Sequence, residues 1–225
     1  MTATVFVVAI DGPGGAGKST TAREVARRLG LSYLDTGALY RCVALRAVEE
    51  GLALDDGPRI AEIARNLDVR FAAGSQRVAL GERDVSAAIR TPEISQAASK
   101  VSALPPVRAA LVELQRRSAR APGTVAEGRD MGTVIFPTAQ LKVFLDATMD
   151  ERARRRVVDL RGLGRAEGIE EVRAQLAERD ARDSERAVAP LRKAPDAVIL
   201  DTTHLAFEEV VERIVAEARA RGIGK

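Results

Sequence analysis

The feature that most constrains the fold is a glycine-rich octapeptide between an apolar run and an amphipathic segment. It reads Gly12-Pro13-Gly14-Gly15-Ala16-Gly17-Lys18-Ser19 and matches GxxxxGK followed by Ser or Thr. The apolar run at 5–10 predicts a buried strand, because parallel strands covered on both faces are apolar throughout. After the octapeptide, apolar residues recur at helical spacing: Ala22, Val25, Ala26 and Leu29. The chain is therefore expected to begin with a strand, a phosphate-binding loop and a helix that ends near Gly30.

This loop predicts a binding site for a nucleoside triphosphate. Glycines let backbone N–H groups converge on phosphate oxygens, and the helix N-terminus adds a favourable partial charge. Lys18 is expected to reach the β- and γ-phosphates, while the Ser19 hydroxyl ligates Mg²⁺. The predicted nucleotide-binding residues are Gly12, Pro13, Gly14, Gly15, Ala16, Gly17, Lys18, Ser19 and Thr20.

The rest of the chain alternates strand and helix patterns, which predicts an α/β fold with a parallel sheet wound by helices on both faces. Further strands are expected at 124–126, 141–145 and 198–200, and helices at 107–118 and 207–220. Short alternating segments around Gly74 and Gly81 indicate a small β-containing insert, at about 61–103. Three glycines among arginines, at 162, 164 and 168, indicate either a mobile loop or an ordinary surface turn. The core of this single domain is then 1–60, 104–150 and 190–225.

Composition narrows the classes of partner. The 225 residues carry a formal charge of +3, which suits a phosphorylated small molecule as well as a nucleic acid. Only 3% of residues are aromatic, too few for the stacking platforms of single-strand binders, so no nucleic-acid partner is expected. One cysteine and one histidine argue against a disulfide or a zinc centre. The chain has no membrane-length apolar run and no signal-peptide pattern, so we expect no membrane partner and a cytoplasmic location.

Phosphate loops also occur in switch GTPases and in mechanical or noncatalytic ATP-binding proteins. A switch GTPase should carry an NKxD-type guanine-reading element, which is missing, and Asp159-Leu160-Arg161-Gly162 fits DxxG only loosely. A mechanical ATPase usually has an acid after an apolar strand, and Asp146, after 141–145, fits that requirement. A mechanical or noncatalytic ATP binder therefore stays open at this point.

Candidate phosphate and substrate ligands follow two predicted strands. Asp35-Thr36-Gly37-Ala38-Leu39-Tyr40-Arg41 comes shortly after the first helix, and Glu127-Gly128-Arg129-Asp130 follows the strand at 124–126. Open α/β sheets bind ligands at the carboxyl ends of their strands, so these groups are expected on one rim. Arg179, Asp183 and Arg186 are spaced i, i+4, i+7 and would share one helix face. That face is either part of the site or a solvated surface with ion pairs.

Together these motifs resemble the bacterial cytidylate kinases over nearly the whole chain. The resemblance is carried by the phosphate loop, DTGALYR, the insert, the stretch 99–108, EGRDMGTVIFP, ERDARDSERAVAPL and VILDTT. It implies transfer of the γ-phosphate of ATP to CMP, and to dCMP, with Mg²⁺ as cofactor. It also implies that the insert at about 61–103 binds the monophosphate and that a helical lid at about 151–189 closes over both nucleotides. The partners would be small nucleotides, and we expect a monomer.

The resemblance also implies roles for individual residues. The acceptor phosphate would be held by Thr36, Arg41, Arg129 and Arg186, the cytosine by Ser99, Arg108 and Asp130, and the ribose by Arg179 and Asp183. Relatives often carry Ser at position 36 and Asp at position 127, which leaves the role of Glu127 open. The groups expected to offset charge on the transferring phosphate are Lys18, Arg129, Arg179, Arg155 and Arg156, although Arg152 to Arg156 also fit a solvated basic face. Asp35 is expected to orient Mg²⁺-bound water.

Overall fold

The computed structural model describes residues 5–71 and 77–224, and its centre is a five-stranded parallel sheet. The sheet strands are β1 (Phe6–Asp11), β2 (Ser32–Asp35), β6 (Gly123–Gly128), β7 (Leu141–Asp146) and β8 (Val198–Asp201). A second sheet contains β3 (Val69–Phe71), β4 (Val78–Leu80) and β5 (Arg83–Asp84). The helices are α1 (Lys18–Leu29), α2 (Thr36–Glu49), α3 (Gly57–Arg65), α4 (Pro92–Val101), α5 (Pro105–Arg117), α6 (Met149–Gly162), α7 (Ile169–Glu185) and α8 (Phe207–Ala220).

The strand order β2-β6-β1-β7-β8 aligns the carboxyl ends of the strands on one edge. Asp11 pairs with Gly128 in register, and Asp35 pairs with Glu127. The strands β6 and β7 lie on opposite sides of β1, so the strand order reverses at β1. Doubly wound sheets bind ligands at such a reversal, outside the carboxyl ends of the strands.

Each face of the sheet is covered by helices because successive side chains point to opposite sides. Val8 and Ile10 of β1 pack with the apolar stripes of α1 and α8. Ala9, between them in sequence, belongs to a separate cluster with Leu34 and Met131 on the other face. A further cluster joins α2, α3, α4 and α5 to the small sheet through residues that include Val78 and Leu111. The predicted α/β fold with helices on both faces is therefore confirmed.

The small antiparallel sheet, β3-β4-β5, lies within the predicted insert. It is followed by a 3-10 turn at Ala88–Arg90 and then by α4, while position 61, the expected start of the insert, lies inside α3. Gly74, one of the two glycines around which the strands were predicted, lies outside the described residues. The insert therefore consists of a short sheet and a helix that packs on the core helix α2.

The predicted lid consists of α6 and α7, which share a small apolar cluster of their own. Its buried members are Ala153, Val157, Leu160, Val172 and Leu176. The helix α7 ends at Glu185, so Arg186 is not on its face as the i, i+7 spacing implied. Arg186 instead has an extended backbone and directs its side chain to Ala189 and Asp130. Within 5–71 and 77–224, no helix has both the length and the apolar character needed to span a bilayer.

Candidate active site

The phosphate loop joins the end of β1 to the start of α1, where its backbone passes close to β7. A Cβ on Gly12 would lie 2.0 Å from the Leu145 carbonyl oxygen, so no larger residue fits there without moving the backbone. The loop ends at Gly17, whose φ of 83° is in the left-handed region that favours glycine. These two requirements explain why the motif fixes glycine at both ends of the loop.

Lys18 lies folded back over this loop and is almost fully buried. Its Nζ donates to the Pro13 carbonyl at 2.7 Å. Burial and the nearby Arg129 guanidinium lower the pKa of Lys18 to about 7. Burial and Arg129 likewise lower the pKa of Arg179 to about 10. Lys18, Arg129 and Arg179 thus lie close together beside the phosphate loop. The negative charge of a bound polyphosphate would favour the protonated form of each.

The Ser19 hydroxyl donates to the Glu127 carboxylate at 2.6 Å. Glu127 is the penultimate residue of β6 and is buried between the phosphate loop and β2. Burial and the Asp35 carboxylate raise the pKa of Glu127, while Lys18 and the Ser19 hydroxyl oppose that shift. Beside Ser19, the side chain of Thr20 donates to Gly17 of its own helix at 2.9 Å. The loop therefore presents a hydroxyl and a carboxylate side by side.

Asp183 of α7 is the centre of a second cluster. Its carboxylate accepts from Arg129 Nε at 2.8 Å, lies 3.9 Å from Arg179 Nε, and is 3.4 Å from the Ser99 hydroxyl. Burial raises the pKa of Asp183, but Arg129 and Arg179 outweigh burial and hold it below its usual range. The cluster brings together groups from β6, α7 and the insert helix α4.

A third cluster centres on Asp130, directly after Arg129. Arg108 of α5 donates to one carboxylate oxygen of Asp130, and Arg186 Nη2 donates to the other at 3.4 Å. The Arg108 guanidinium also lies 5.5 Å from the centroid of the Tyr40 ring, a cation–π distance. Asp130 and both arginines are buried. A carboxylate has about four lone-pair positions, so Asp130 keeps acceptor capacity beyond these two arginines.

Asp11 fixes the backbone that carries these residues. Its carboxylate accepts from the N–H groups of Met131 and Gly132, each at 2.8 Å. Burial raises the pKa of Asp11 to about 6, and these two hydrogen bonds limit the rise. The contact begins a π-helical turn at Met131–Ile135. Asp11 therefore ties the end of β1 to the segment that places Arg129 and Asp130.

A family model described as cytidylate kinase matches residues 8–220. The chain belongs to the cytidylate kinase family. A cytidylate kinase from Pseudomonas paraeruginosa is 48% identical over 226 residues, covering 99% of each chain. Another, from Chromobacterium violaceum, is 49% identical over 212 residues, covering 94% of this chain and 95% of the relative.

Among solved structures, a gluconokinase from Sinorhizobium meliloti aligns at 16% identity with a TM-score of 0.48, covering 96% of this chain and 94% of that one.

Family membership makes the chain an enzyme, a nucleoside monophosphate kinase, and resolves the alternatives left open by the sequence. Asp146, the acid that would fit a mechanical ATPase, is 3.6 Å from Lys193 and accepts from the Ala147 N–H. The acid in contact with Ser19 is Glu127. The Arg179 and Asp183 face is not a solvated surface, because Asp183 is buried against Arg129, and its role in the site stays a prediction.

Several side chains predicted for the site are held by protein groups. The Thr36 hydroxyl donates to the Glu127 carbonyl at 2.7 Å, which places it beside the ends of β2 and β6. Arg41 Nη2 donates to Asp35 at 2.8 Å, and the same carboxylate caps α2 by accepting from Ala38 N–H at 2.8 Å. Both oxygens of Asp35 are thus engaged by protein donors, but the carboxylate keeps further lone pairs, so its role in orienting Mg²⁺-bound water stays a prediction.

The basic start of the lid is not a uniform solvated face. Arg154 is exposed, but Arg155 donates to the hydroxyl and carbonyl of Thr202 at 2.9 and 2.6 Å. Arg156 is partly buried and, with Arg179, lines a small cavity between α4 and α7. Arg155 thus lies near the phosphate loop but is held by the segment after β8, whereas Arg156 lies beside Arg179.

Proposed function

We propose that the enzyme uses MgATP to phosphorylate both CMP and dCMP, with the residues of the three clusters in separate roles. One observation carries this assignment: the buried Lys18 and the partly buried Arg129 and Arg179 converge between the phosphate loop and the Asp130 and Asp183 clusters. Crowded cations that are partly removed from water favour counter-charge beyond Asp183, and two phosphorylated ligands supply it.

In this assignment the acceptor phosphate is bound by Thr36, Arg41, Arg129 and Arg186, and Lys18 with Arg179, Arg155 and Arg156 offsets charge on the transferring group. An oxygen of the acceptor phosphate attacks the γ-phosphorus of ATP in line, and the bond to the β-phosphate oxygen breaks as the new bond forms. The acceptor is already ionised at neutral pH, so no protein base is needed. The protein accelerates the reaction through positioning and charge stabilisation.

The oxygen donors beside the phosphate loop fit Mg²⁺. Mg²⁺ favours hard oxygen ligands and keeps several waters, so it needs only one or two protein groups besides the phosphates. Ser19 and Glu127 supply a hydroxyl and a carboxylate in mutual contact. We assign Ser19 as a ligand and Glu127 as the acceptor for metal-bound water. When bound, the ion neutralises phosphate charge and orients the transferring group.

Acceptance of dCMP follows from the partners of Asp183. Of the two residues assigned to the ribose, Arg179 and Asp183, the carboxylate of Asp183 already accepts from Arg129 and lies beside Ser99. A site discriminates strongly when a missing hydroxyl leaves a buried polar group unpaired. Asp183 remains paired without the 2′-hydroxyl, so kcat/KM for dCMP is expected within about tenfold of that for CMP.

A coupled assay of ADP production with CMP, dCMP, UMP and AMP tests the proposal. We expect turnover with CMP and dCMP, and loss of turnover in Lys18→Ala with the fold retained by circular dichroism. Removing a key electrostatic contact costs roughly 10²- to 10³-fold in kcat. Retention of more than about a tenth of wild-type kcat by Lys18→Ala would contradict the role of Lys18. The cytoplasmic location and the monomeric state stay predictions.

A further inference from the structure

Two residues of the lid contact the phosphate loop at Gly14, one through the Gly14 N–H and the other through its carbonyl. The Gly14 N–H donates to Asp180 Oδ1 at 3.4 Å, and the Gly14 carbonyl accepts from Arg152 Nη1 at 3.1 Å. Arg152 and Asp180 also form an ion pair with each other, through Asp180 Oδ2. Arg152 belongs to α6 and Asp180 to α7, so both lid helices contact the same loop residue.

The position of Arg152 is unusual for a residue in an arginine-rich helix. Only 7% of its surface is exposed, and its Nε donates to the carbonyl of Ala147 at 3.1 Å. Ala147 directly follows β7, at the point where the core leads into the lid. A single guanidinium thus contacts the core, the phosphate loop and the second lid helix. Surface ion pairing does not require this degree of burial.

The face of α7 that carries Asp180 also carries Leu176 and Asp183, at i−4 and i+3. A Cβ on Gly14 would lie 3.1 Å from Leu176 Cδ2, so the loop and the helix are in close contact. Asp183 contacts Arg129 and Ser99 on the acceptor side of the site. One helix face therefore reaches the ATP loop at Asp180 and the acceptor cluster at Asp183.

We propose that Arg152 and Asp180 are positioning residues that latch the lid onto the phosphate loop and thereby couple ATP binding to acceptor binding. The inference rests on the proposed function, because it needs ATP on the loop and CMP at the Asp183 cluster. A ligand that favours the latched lid pre-forms the other ligand's site, and the coupling is reciprocal.

The variant Asp180→Asn tests the latch with little change in shape. Asp180 uses both of its oxygens as acceptors, whereas an asparagine has one acceptor oxygen and must lose the Gly14 or the Arg152 contact. The matched control is Asp150→Asn, which removes the 3.0 Å ion pair of Asp150 with Arg173, also between α6 and α7 but exposed to solvent. Arg152→Lys is a second variant that keeps the charge but cannot span three partners.

The measurement is the Kd of CMP by calorimetry, with and without a saturating nonhydrolysable ATP analogue. In the wild-type enzyme and in Asp150→Asn, the analogue is expected to tighten CMP binding by about tenfold, within the usual range of coupling between sites. In Asp180→Asn and Arg152→Lys this factor is expected to fall to about one or two.

Three outcomes would overturn the latch: wild-type coupling retained by a folded Asp180→Asn or Arg152→Lys, equal loss of coupling in Asp150→Asn, or no coupling in a wild-type enzyme that binds both ligands. Tighter binding of the analogue to Asp180→Asn would also overturn it, because the carboxylate would then be competing with phosphate. Failure of the wild-type enzyme to bind CMP at all would contradict the proposed function, and the latch with it.

Discussion

Lys18 shows how a charged residue is held for its ligand before the ligand arrives. Its ammonium group is buried near Arg129 and Arg179, and its pKa is lowered to about 7. An anionic phosphate favours the protonated form and must therefore raise that pKa. Above the free-enzyme value, binding of ATP consequently requires uptake of a proton.

We predict that affinity for a nonhydrolysable ATP analogue falls as pH rises above about 7, the pKa of Lys18 in the free enzyme. Calorimetry in buffers of different ionisation heat should show proton uptake at about one pH unit above that pKa. The titration is made without Mg²⁺, so that any proton exchange comes from binding of the analogue alone. Lys18→Arg, which stays charged, is the control. Equal proton uptake by Lys18→Arg and the wild-type enzyme would show that another group titrates.

Asp130 determines base choice in the proposed assignment. Cytosine presents an N4 amino donor, whereas uracil presents an O4 acceptor that would face the lone pairs of the carboxylate. We predict a large kcat/KM preference for CMP over UMP, and a much smaller one in Asp130→Ala, with the greater loss for CMP. Sites that demand such a hydrogen bond discriminate by on the order of 10⁴, whereas shape alone gives about 10- to 200-fold. If CMP and UMP activities fall by the same factor, Asp130 serves only to organise Arg108 and Arg186.

The residues that sequence alone could assign are those with a local signal. Lys18 and Ser19 belong to one contiguous motif, and their positions at the start of α1 are confirmed. The contact of Glu127 with Ser19, 108 positions away in the chain, has no local signal in the sequence. The contacts of Asp180 and Arg152 with Gly14 have none for the same reason, since they join residues 166 and 138 positions apart. An acid directly after a buried strand was the one signal that could have identified Glu127.

At the level of elements, patterns of apolar residues located the strands and helices well. The helix α8 begins and ends at the predicted residues, and β1, β6, β7 and β8 lie within two residues of their expected bounds, whereas no bounds were predicted for β2. Arg186 was placed wrongly on the face of α7 because a helical spacing does not reveal where the helix stops. The chain becomes extended at that residue, where Arg186 contacts Asp130.

The lid is the element most open to a direct test of motion. The lid contacts the insert through Asp183 of α7 with Ser99, and through Arg165, between α6 and α7, with Glu93. We predict that hydrogen exchange across 161–186 slows when CMP and a nonhydrolysable ATP analogue are both bound, because the ligands favour the closed state. Exchange in α8, which contacts neither proposed substrate cluster, is the internal control. Unchanged exchange at 161–186 under saturating ligands would remove the lid assignment.

At the scale of the whole molecule, stability rests on distinct apolar clusters. One lies between the sheet and α1 and α8, and Ile214 is fully buried within it. We predict that Ile214→Ala lowers the free energy of unfolding by about 2–5 kcal/mol, since it removes buried methyl groups and leaves a cavity. Ile199→Ala on β8 is the control, because Ile199 is 56% exposed and its truncation should change stability by less than about 0.5 kcal/mol. Urea denaturation measures both, and equal effects would contradict this account of the core.

The convergence of cations at the strand ends has a consequence for the direction of the reaction. Phosphoryl transfer moves a charged group from one nucleotide to another without changing the total charge that Lys18, Arg129 and Arg179 must balance. Reactants and products therefore present the same sum of charge to these three cations. Such a site can balance the charge on either side of the reaction, so it serves phosphoryl transfer in both directions. Cellular concentrations of the four nucleotides, not the protein, would set whether diphosphate is made or consumed.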